Sequence, residues 1–526
     1  MITLRSYVRG EWEAGVGPPR LVRHAVTGET IAQASSEGID LSAMLEYART
    51  VGGPALRAMT FPERASILKE ITGVLNQHLD ELHAIAASYG ATTKDARFDV
   101  EGGIGTLAFY ASLGAKKLPN SCFLVDGDAV PLSRDGNFVG RHVFVPLEGA
   151  AVQINAYNFP SWGMLEKFAP AFLSGVPSIV KPATPSAWLA HRLVEILIDS
   201  RVVPEGTLQL VCGSVGDLLS HLTCQDIVCF TGSAATGAAI RSHPTIVKNA
   251  VRVNIEADSL NCILLGPDVT PGSTSYDYFL KEILSEMTVK AGQKCTAIRR
   301  VLVPEARASA VVDALKDSLA AIRVGDPGEE GVRMGPLVDA DAVRSAREGI
   351  SRLREEAEVV FGDPERSDFA SQGGFFMEPV LLLCRDPLQA KAIHEVEVFG
   401  PVATVIGYDS VEQALELARR GNGSLVATIF SDDGAFVREA TFALAPYHGR
   451  LMVMDARSAP ESTGHGIVMP HLVHGGPGRA GGGEELGGLR SLHHYMQRVA
   501  LQGDPERLEK LLASALLETQ PTEKRS

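Results

Sequence analysis

Apolar positions along the chain follow two periods, and the period changes where the architecture changes. From Pro62 to Ser88, Ile67, Leu68, Ile71, Leu75, Leu79, Leu82 and Ile85 recur every three or four residues. This predicts one amphipathic helix with Pro62 in its first turn. A second helix-like run covers about 95–115, and residues 1–60 are mixed, with short strand-like pieces. Residues 120–146 alternate instead: Phe123-Leu124-Val125, Val130-Pro131-Leu132 and Arg141–Val145 are separated by Asp126-Gly127-Asp128 and Asp135-Gly136-Asn137. Two Asp-Gly turns between alternating runs predict a β-ribbon, either an arm toward a neighbouring subunit or a simple edge hairpin.

Between 149 and 265, apolar runs at Ala150–Ile154, Ser178–Val180, Thr207–Val211, Ile227–Phe230 and Val251–Ile255 alternate with helix-like segments. That alternation predicts a parallel, doubly wound sheet with crossover helices. Ligands of such sheets sit at the carboxyl ends of the strands. The segments to inspect are therefore Asn155–Pro160, Lys181–Thr184, Cys212–Ser214, Thr231–Ser233 and Glu256–Ser259. A second α/β region follows over 275–455, with helices at 305–322, 411–420 and 433–443 and strands at Val380–Leu383, Val402–Ile406, Leu425–Phe430 and Leu451–Met454. Residues 460–490 are rich in Gly and His, and 505–519 reads as a surface helix before a polar tail.

The 526 residues call for two or three domains. A net charge of −14 gives no general reason to bind nucleic acid or an anionic membrane. Seven scattered cysteines form no CxxC pair, disulfide framework or metal site, which fits a reducing cytoplasm. No apolar stretch of about 20 residues predicts a membrane span, and Met1–Tyr7 lacks the apolar core of a secretion signal.

Five strand-end or loop features carry candidate chemistry. Cys295 lies in Lys290-Ala291-Gly292-Gln293-Lys294-Cys295, between a helix-like run and an apolar strand. Gly292 permits a sharp turn or a close backbone approach, and Lys290, Lys294, Arg299 and Arg300 make the neighbourhood cationic, which would lower a thiol pKa. The cysteine reads as a nucleophile or as a small buried hydrophobe. Phe230-Thr231-Gly232-Ser233 ends a strand and opens a helix, where Gly232, the Ser233 hydroxyl and first-turn amides suit a phosphate or simply a capped turn. Lys181 at a strand end suits ribose or phosphate, or is solvated. Asn158 could aim an amide N–H at a developing oxyanion, or support the turn before Pro160. Glu256 at a strand end, partly buried, would have a raised pKa suited to a general base, or be a surface carboxylate. The formal GxGxxG at Gly476–Gly481 is discounted as a dinucleotide site, because no strand precedes it and Pro477 argues for a loop.

Taken together, Asn158, Lys181, Gly232-Ser233, Glu256 and Cys295 resemble the NAD(P)-dependent aldehyde dehydrogenase superfamily in order and spacing over about residues 5–495. Glu397-Val398-Phe399-Gly400-Pro401 resembles that family's Glu-x-Phe-Gly-Pro segment, which holds the nicotinamide ribose. Asn261 resembles the Asn after its catalytic Glu. The resemblance implies an α/β aldehyde dehydrogenase fold. A Rossmann-like cofactor domain takes 1–119 and 147–260, a catalytic α/β domain 261–460, and an oligomerisation arm 120–146 and 478–500, before a tail at 501–526. It implies Cys295 as nucleophile, Asn158 and the Cys295 N–H as oxyanion donors, and Glu256 as the base that hydrolyses a thioacyl enzyme. Lys181, Thr184, Gly232, Ser233, Glu397 and Phe399 would hold the cofactor. It implies a homodimer or homotetramer, with the ribbon and a strand-like Leu489–His493 as arms.

Two departures refine this. The usual Glu-Leu-Gly-Gly reads Glu256-Ala257-Asp258-Ser259, and Thr184 stands where many NAD-preferring members carry a Glu that would repel a 2′-phosphate. NADP is therefore the expected cofactor, with NAD possible. The stretch His471–Arg490 resembles a branch that acts on CoA-linked semialdehydes in aerobic breakdown of aromatic acids such as benzoate. His474 and Arg479 would then contact a CoA phosphate or substrate carbonyl, or form a structural subunit contact. The length leaves no room for the hydratase-like second domain of bifunctional members. The alternatives are a general medium- or long-chain aldehyde dehydrogenase, a CoA-acylating one, a non-catalytic binding protein of this fold, or a cofactor-free cysteine hydrolase. The last would need a His beside Cys295 that the sequence cannot place, and the retained Glu256 favours hydrolysis over transfer to CoA.

Overall fold

The computed structural model describes residues 1–366 and 373–517. Two seven-stranded sheets organise the chain. In the first, the order is Arg252–Glu256, Ile227–Thr231, Ala151–Ile154, Ser178–Lys181, Leu208–Leu210, Ser6–Val8 and Glu11–Glu13. The first five run parallel and the last two are antiparallel. The parallel part starts in the middle at Ala151–Ile154, winds one way to Leu208–Leu210, then returns to the other side at Ile227–Thr231. This reversal opens a crevice at the carboxyl ends of Ala151–Ile154 and Ile227–Thr231. Asn158, Thr231 and Glu256 all follow from strands at that crevice.

The second sheet runs Glu358–Phe361, Val380–Cys384, Val402–Tyr408, Arg300–Pro304, Cys262–Leu265, Ser424–Phe430 and His448–Met454, parallel except for its first strand. Its central strands are buried on both faces, and their near-continuous Val, Ile and Leu content reflects this. Glu358–Phe361 and the preceding helix Ala340–Leu353 are elements the periodicity did not single out.

Several expectations are corrected. The helix expected over 62–88 is two helices, Phe61–Asn76 and Leu79–Ser88, which break at Gln77-His78 without a Gly or Pro. The first is closed by a capping box between Thr60 and Glu63. In the ribbon, Leu124–Pro131 pairs with Val139–Pro146, and Asp135-Gly136 lies in the turn. Asp126-Gly127 makes no turn: the register shifts between Asp126 and Val130, so this pair forms an irregularity inside the strand. The third strand of the ribbon is Met496–Gly503, and Leu489–His493 lies in a 3₁₀ segment instead of a strand. A short strand, Val473–Gly475, does precede the GxGxxG, but it pairs antiparallel with Glu484–Leu486 and no α-helix follows directly. The C-terminal helix is Pro505–Leu517, and the tail beyond it lies outside the described residues. Among the described residues, no helix is long and apolar enough to cross a membrane.

Candidate active site

The loop before Cys295 is held in a strained backbone conformation. Lys290, Ala291 and Gly292 have φ of 53°, 50° and 67°, three left-handed residues in succession. A Cβ on Gly292 would lie 2.2 Å from the Gly400 carbonyl oxygen, so only glycine fits. The strain at Lys290 and Ala291 is held by many bonds. The Lys290 N–H donates to Asp95 at 3.0 Å, the Gln293 amide donates back to the Lys290 carbonyl at 3.0 Å, and Gln293 accepts from the Val338 N–H at 3.1 Å. Asn261 donates to the carbonyls of Cys295 (2.7 Å) and Ala297 (3.0 Å). Arg299 donates to the carbonyls of Gly292, Lys294 and Gly400, which ties the loop to the Glu397–Pro401 segment.

Cys295, Asn158 and Glu256 line one cavity, together with Phe98, Phe159, Trp162, Glu166, Thr231 and His474. Phe98 meets Phe159 and Trp162 edge-to-face, each at 5.3 Å, so one wall is aromatic and apolar. Among the described residues, neither the Asn158 amide nor the Cys295 backbone N–H donates a hydrogen bond within the protein. Both are available to an oxyanion formed at the cysteine.

The electrostatics overturn the expectation of a lowered thiol pKa. Each nearby cation is already engaged. Lys294 pairs with Glu286 at 2.6 Å, Lys290 approaches Asp99 at 3.8 Å, Arg299 approaches Glu397 at 3.8 Å, and Arg300 donates to the carbonyls of Leu260, Leu417 and Ala418. Burial, and then the Glu256 carboxylate, push the Cys295 thiol well above its ordinary value. Glu256 also departs from expectation. Burial pushes its carboxyl up, but the attraction of His474, 2.9 Å away, and of Lys167 outweighs this and holds it at about 2. The resting pair is thus a protonated thiol beside an ionised carboxylate, an arrangement for moving a proton from sulfur to oxygen.

The Lys294–Glu286 pair is 2% and 4% exposed at the side chains. Lys294→Met would leave Glu286 as a buried unpaired carboxylate, at an expected cost of about 3–5 kcal/mol. Chemical unfolding would show it, and the double variant K294M/E286M is expected to recover most of the loss.

The aldehyde dehydrogenase family profile matches residues 18–500. The chain belongs to the aldehyde dehydrogenase family. It is 48% identical over 478 residues to a 3,4-dehydroadipyl-CoA semialdehyde dehydrogenase of Aromatoleum evansii, covering 90% of this chain and 93% of that one. Lactaldehyde dehydrogenase from Escherichia coli superposes with a TM-score of 0.83 at 22% identity, over 95% of this chain and 99% of that one. Betaine aldehyde dehydrogenase of Staphylococcus aureus, in complex with NAD+, gives 0.83 at 22% identity over 95% of both chains. At that identity the structural likeness establishes the fold. The enzyme is an oxidoreductase, and its architecture is the expected one.

The candidate cofactor residues of this aldehyde dehydrogenase lie along the carboxyl edge of the first sheet. Ser233 caps the helix Ala234–Arg241 and accepts from the Thr236 N–H at 3.3 Å. Asp258 accepts from the Ala234 N–H at 2.8 Å, so the departure from Gly-Gly places a carboxylate at the helix start where a phosphate was expected. Arg479, a candidate CoA contact, instead approaches Asp258 at 3.7 Å. Glu397 accepts from the Ser259 N–H at 3.2 Å, and burial pushes its carboxyl up to about 7. Phe399 meets Tyr157 edge-to-face at 5.9 Å.

At the far end, Lys181 ends its strand and Thr184 begins a 3₁₀ turn against the strand Arg20–Arg23. Burial, and then the charge of Arg20, lower the Lys181 pKa. Neither cation has an ion-pair partner among the described residues. Two uncompensated cations beside a Thr fit an anion. Arg20 was invisible to strand-end reasoning because it lies about 160 residues away in sequence, on an edge strand.

His474 is the other residue whose role the sequence did not reveal. It is 4% exposed, so it is no contact for a CoA phosphate at the surface. Its Nε2 lies 4.0 Å from Cys295 Sγ. The histidine that a cysteine hydrolase would need is therefore present, supplied by the Gly-rich segment.

Proposed function

We propose that this enzyme oxidises an aldehyde to its acid with NADP, through a thioacyl intermediate on Cys295, and that the aldehyde is a CoA-linked semialdehyde of the 3,4-dehydroadipyl type, as in aerobic benzoate degradation. The observation that carries the chemistry is the meeting of Cys295, Glu256 and Asn158 in one cavity. The Cys295 thiol gives its proton to Glu256 as sulfur bonds the aldehyde carbon, and Asn158 and the Cys295 N–H receive the oxyanion. A dinucleotide held by the residues named below would supply the hydride acceptor, and loss of hydride from that carbon leaves a thioester on Cys295. After Glu256 has returned its proton to solvent, it takes one from water, the water oxygen attacks the acyl carbon, and the carbon–sulfur bond breaks to free the acid.

Identity of 48% over nearly the whole chain supports the substrate. Lys181, Arg20 and Thr184 support a 2′-phosphate on the cofactor, with Ser233, Gly232, Glu397 and Phe399 along its remaining length. The ribbon exposes Val130, Leu132 and Phe138, which supports assembly of at least two copies. A simple medium-chain aldehyde is the second reading, favoured by the aromatic wall of Phe98, Phe159 and Trp162. Initial rates of reduced-cofactor appearance decide between these readings. A CoA-linked semialdehyde with NADP is expected to exceed a medium-chain aldehyde by orders of magnitude in kcat/KM, and equal rates would favour the second reading.

Arg20→Glu is expected to weaken NADPH binding about tenfold or more, since it replaces a charge-assisted contact with repulsion. NADH binding should change little. Titration by protein fluorescence reads both dissociation constants without catalysis, and an equal change for the two cofactors would remove Arg20 from the phosphate site.

A further inference from the structure

We propose that His474 is a positioning residue for the hydrolytic base: it fixes the Glu256 carboxylate beside Cys295 and keeps it ionised while the thioester is hydrolysed. This rests on the roles proposed above for Cys295 and Glu256, and adds a residue to them.

The donor atoms of Cys295, Glu256 and His474 all lie within 4.8 Å of one another, and Nε2 of His474 is 2.9 Å from Glu256 Oε2 and 4.0 Å from Cys295 Sγ. The approach to Oε2 is not aligned as a hydrogen bond, and Oε2 has no hydrogen-bond donor among the described residues. The carboxylate is thus attracted and confined in the cavity that both residues line, with Oε2 buried and its hydrogen-bonding capacity unspent. A base that must take a proton from water needs that unspent capacity.

The Gly-rich sequence explains how His474 gets there. His474 sits on Val473–Gly475 and pairs in register with Glu485. A Cβ on Gly475 would lie 2.0 Å from the Gly483 carbonyl oxygen, and one on Gly476 would lie 2.3 Å from that of Ser424. The glycines let the hairpin run flush against the second sheet and deliver one imidazole to the reacting atoms. The other ionisable groups facing Glu256 are Lys167 and Cys295, with Glu485 close by. Lys167 is shared with Glu166 at 3.1 Å and Glu485 at 3.0 Å, so it is already committed to two carboxylates. Without His474, burial of Glu256 is opposed only by Lys167 and the Cys295 thiol, and protonation moves upward in pH.

His474→Phe keeps the ring's bulk and removes its polarity. Stopped-flow NADPH formation on the full-length enzyme is expected to retain a burst near one equivalent per active site. Steady-state kcat should fall about 100-fold, within the range for an impaired general base. A plot of kcat against pH should gain an acid limb between about pH 5 and 7 that the wild type lacks, because a raised Glu256 pKa leaves less carboxylate as pH falls. His474→Gln, which keeps a polar nitrogen near Oε2, should be intermediate in rate. A wild-type kcat and profile in H474F would overturn the proposal. If H474F does not fold, H474Q decides: a lowered kcat with an intact burst supports the role, and an unchanged kcat overturns it. Failure of the underlying reading looks different, since the wild type itself would then show no burst.

Discussion

Cys295→Ala is expected to abolish aldehyde oxidation, by at least 10⁴-fold in kcat, while NADPH binding stays within about twofold of wild type. The loss is this large because no other thiol lines the cavity among the described residues, and the covalent route replaces one difficult step by two easier ones. The loop around Cys295 is fixed by backbone and side-chain bonds that do not use the thiol, so the variant should fold normally. In the wild type, the half-buried thiol beside Glu256 is held well above its ordinary pKa and so is protonated near neutral pH. Its alkylation by iodoacetamide should therefore be slow at pH 7 and rise with pH beyond the usual range of a free cysteine. Fast alkylation at pH 6 would show that the resting thiol is already ionised, against the arrangement described here.

Glu256→Gln is expected to separate the two halves of the reaction. Acylation forms NADPH before any water is needed, so a burst near one equivalent per active site should persist, if slower. Deacylation loses its base, and steady-state turnover should fall by about 10²–10⁴-fold. The wild-type carboxyl is held at about 2 by His474 and Lys167 against the effect of burial. Glu256 itself should then impose no acid limb on kcat above pH 5. Such a limb in the wild type, lost in E256Q, would mean that the carboxyl titrates near neutrality.

The first sheet and its strand-end residues were legible in the sequence because the period of the pattern, the crossover rule and the motif at each strand end agree. Asn158, Glu256 and Cys295 are about 100 and 40 residues apart, yet each stands just beyond or before an apolar run, and the fold brings them to one cavity. What could not be read is charge compensation across the chain. Lys294, Lys290 and Arg299 look like an activating cluster locally, but Glu286, Asp99 and Glu397 neutralise them from a helix, a distant helix and a loop. Arg20 and His474 were hidden for the same reason, since their neighbours come from other domains of sequence. Asp126-Gly127 misled because an Asp-Gly pair that admits φ > 0 serves a strand irregularity as well as a turn. The break at Gln77-His78 carries no Gly or Pro, so nothing in the pattern marked it.

The most direct test of the covalent route is intact-mass spectrometry of E256Q, quenched after one turnover with NADP and the CoA-linked semialdehyde. The account predicts a protein heavier by one acyl group, lost in E256Q/C295A and mapped by peptide digestion to Cys295. An unmodified protein after a full NADPH burst, or an acyl group on another residue, would contradict it.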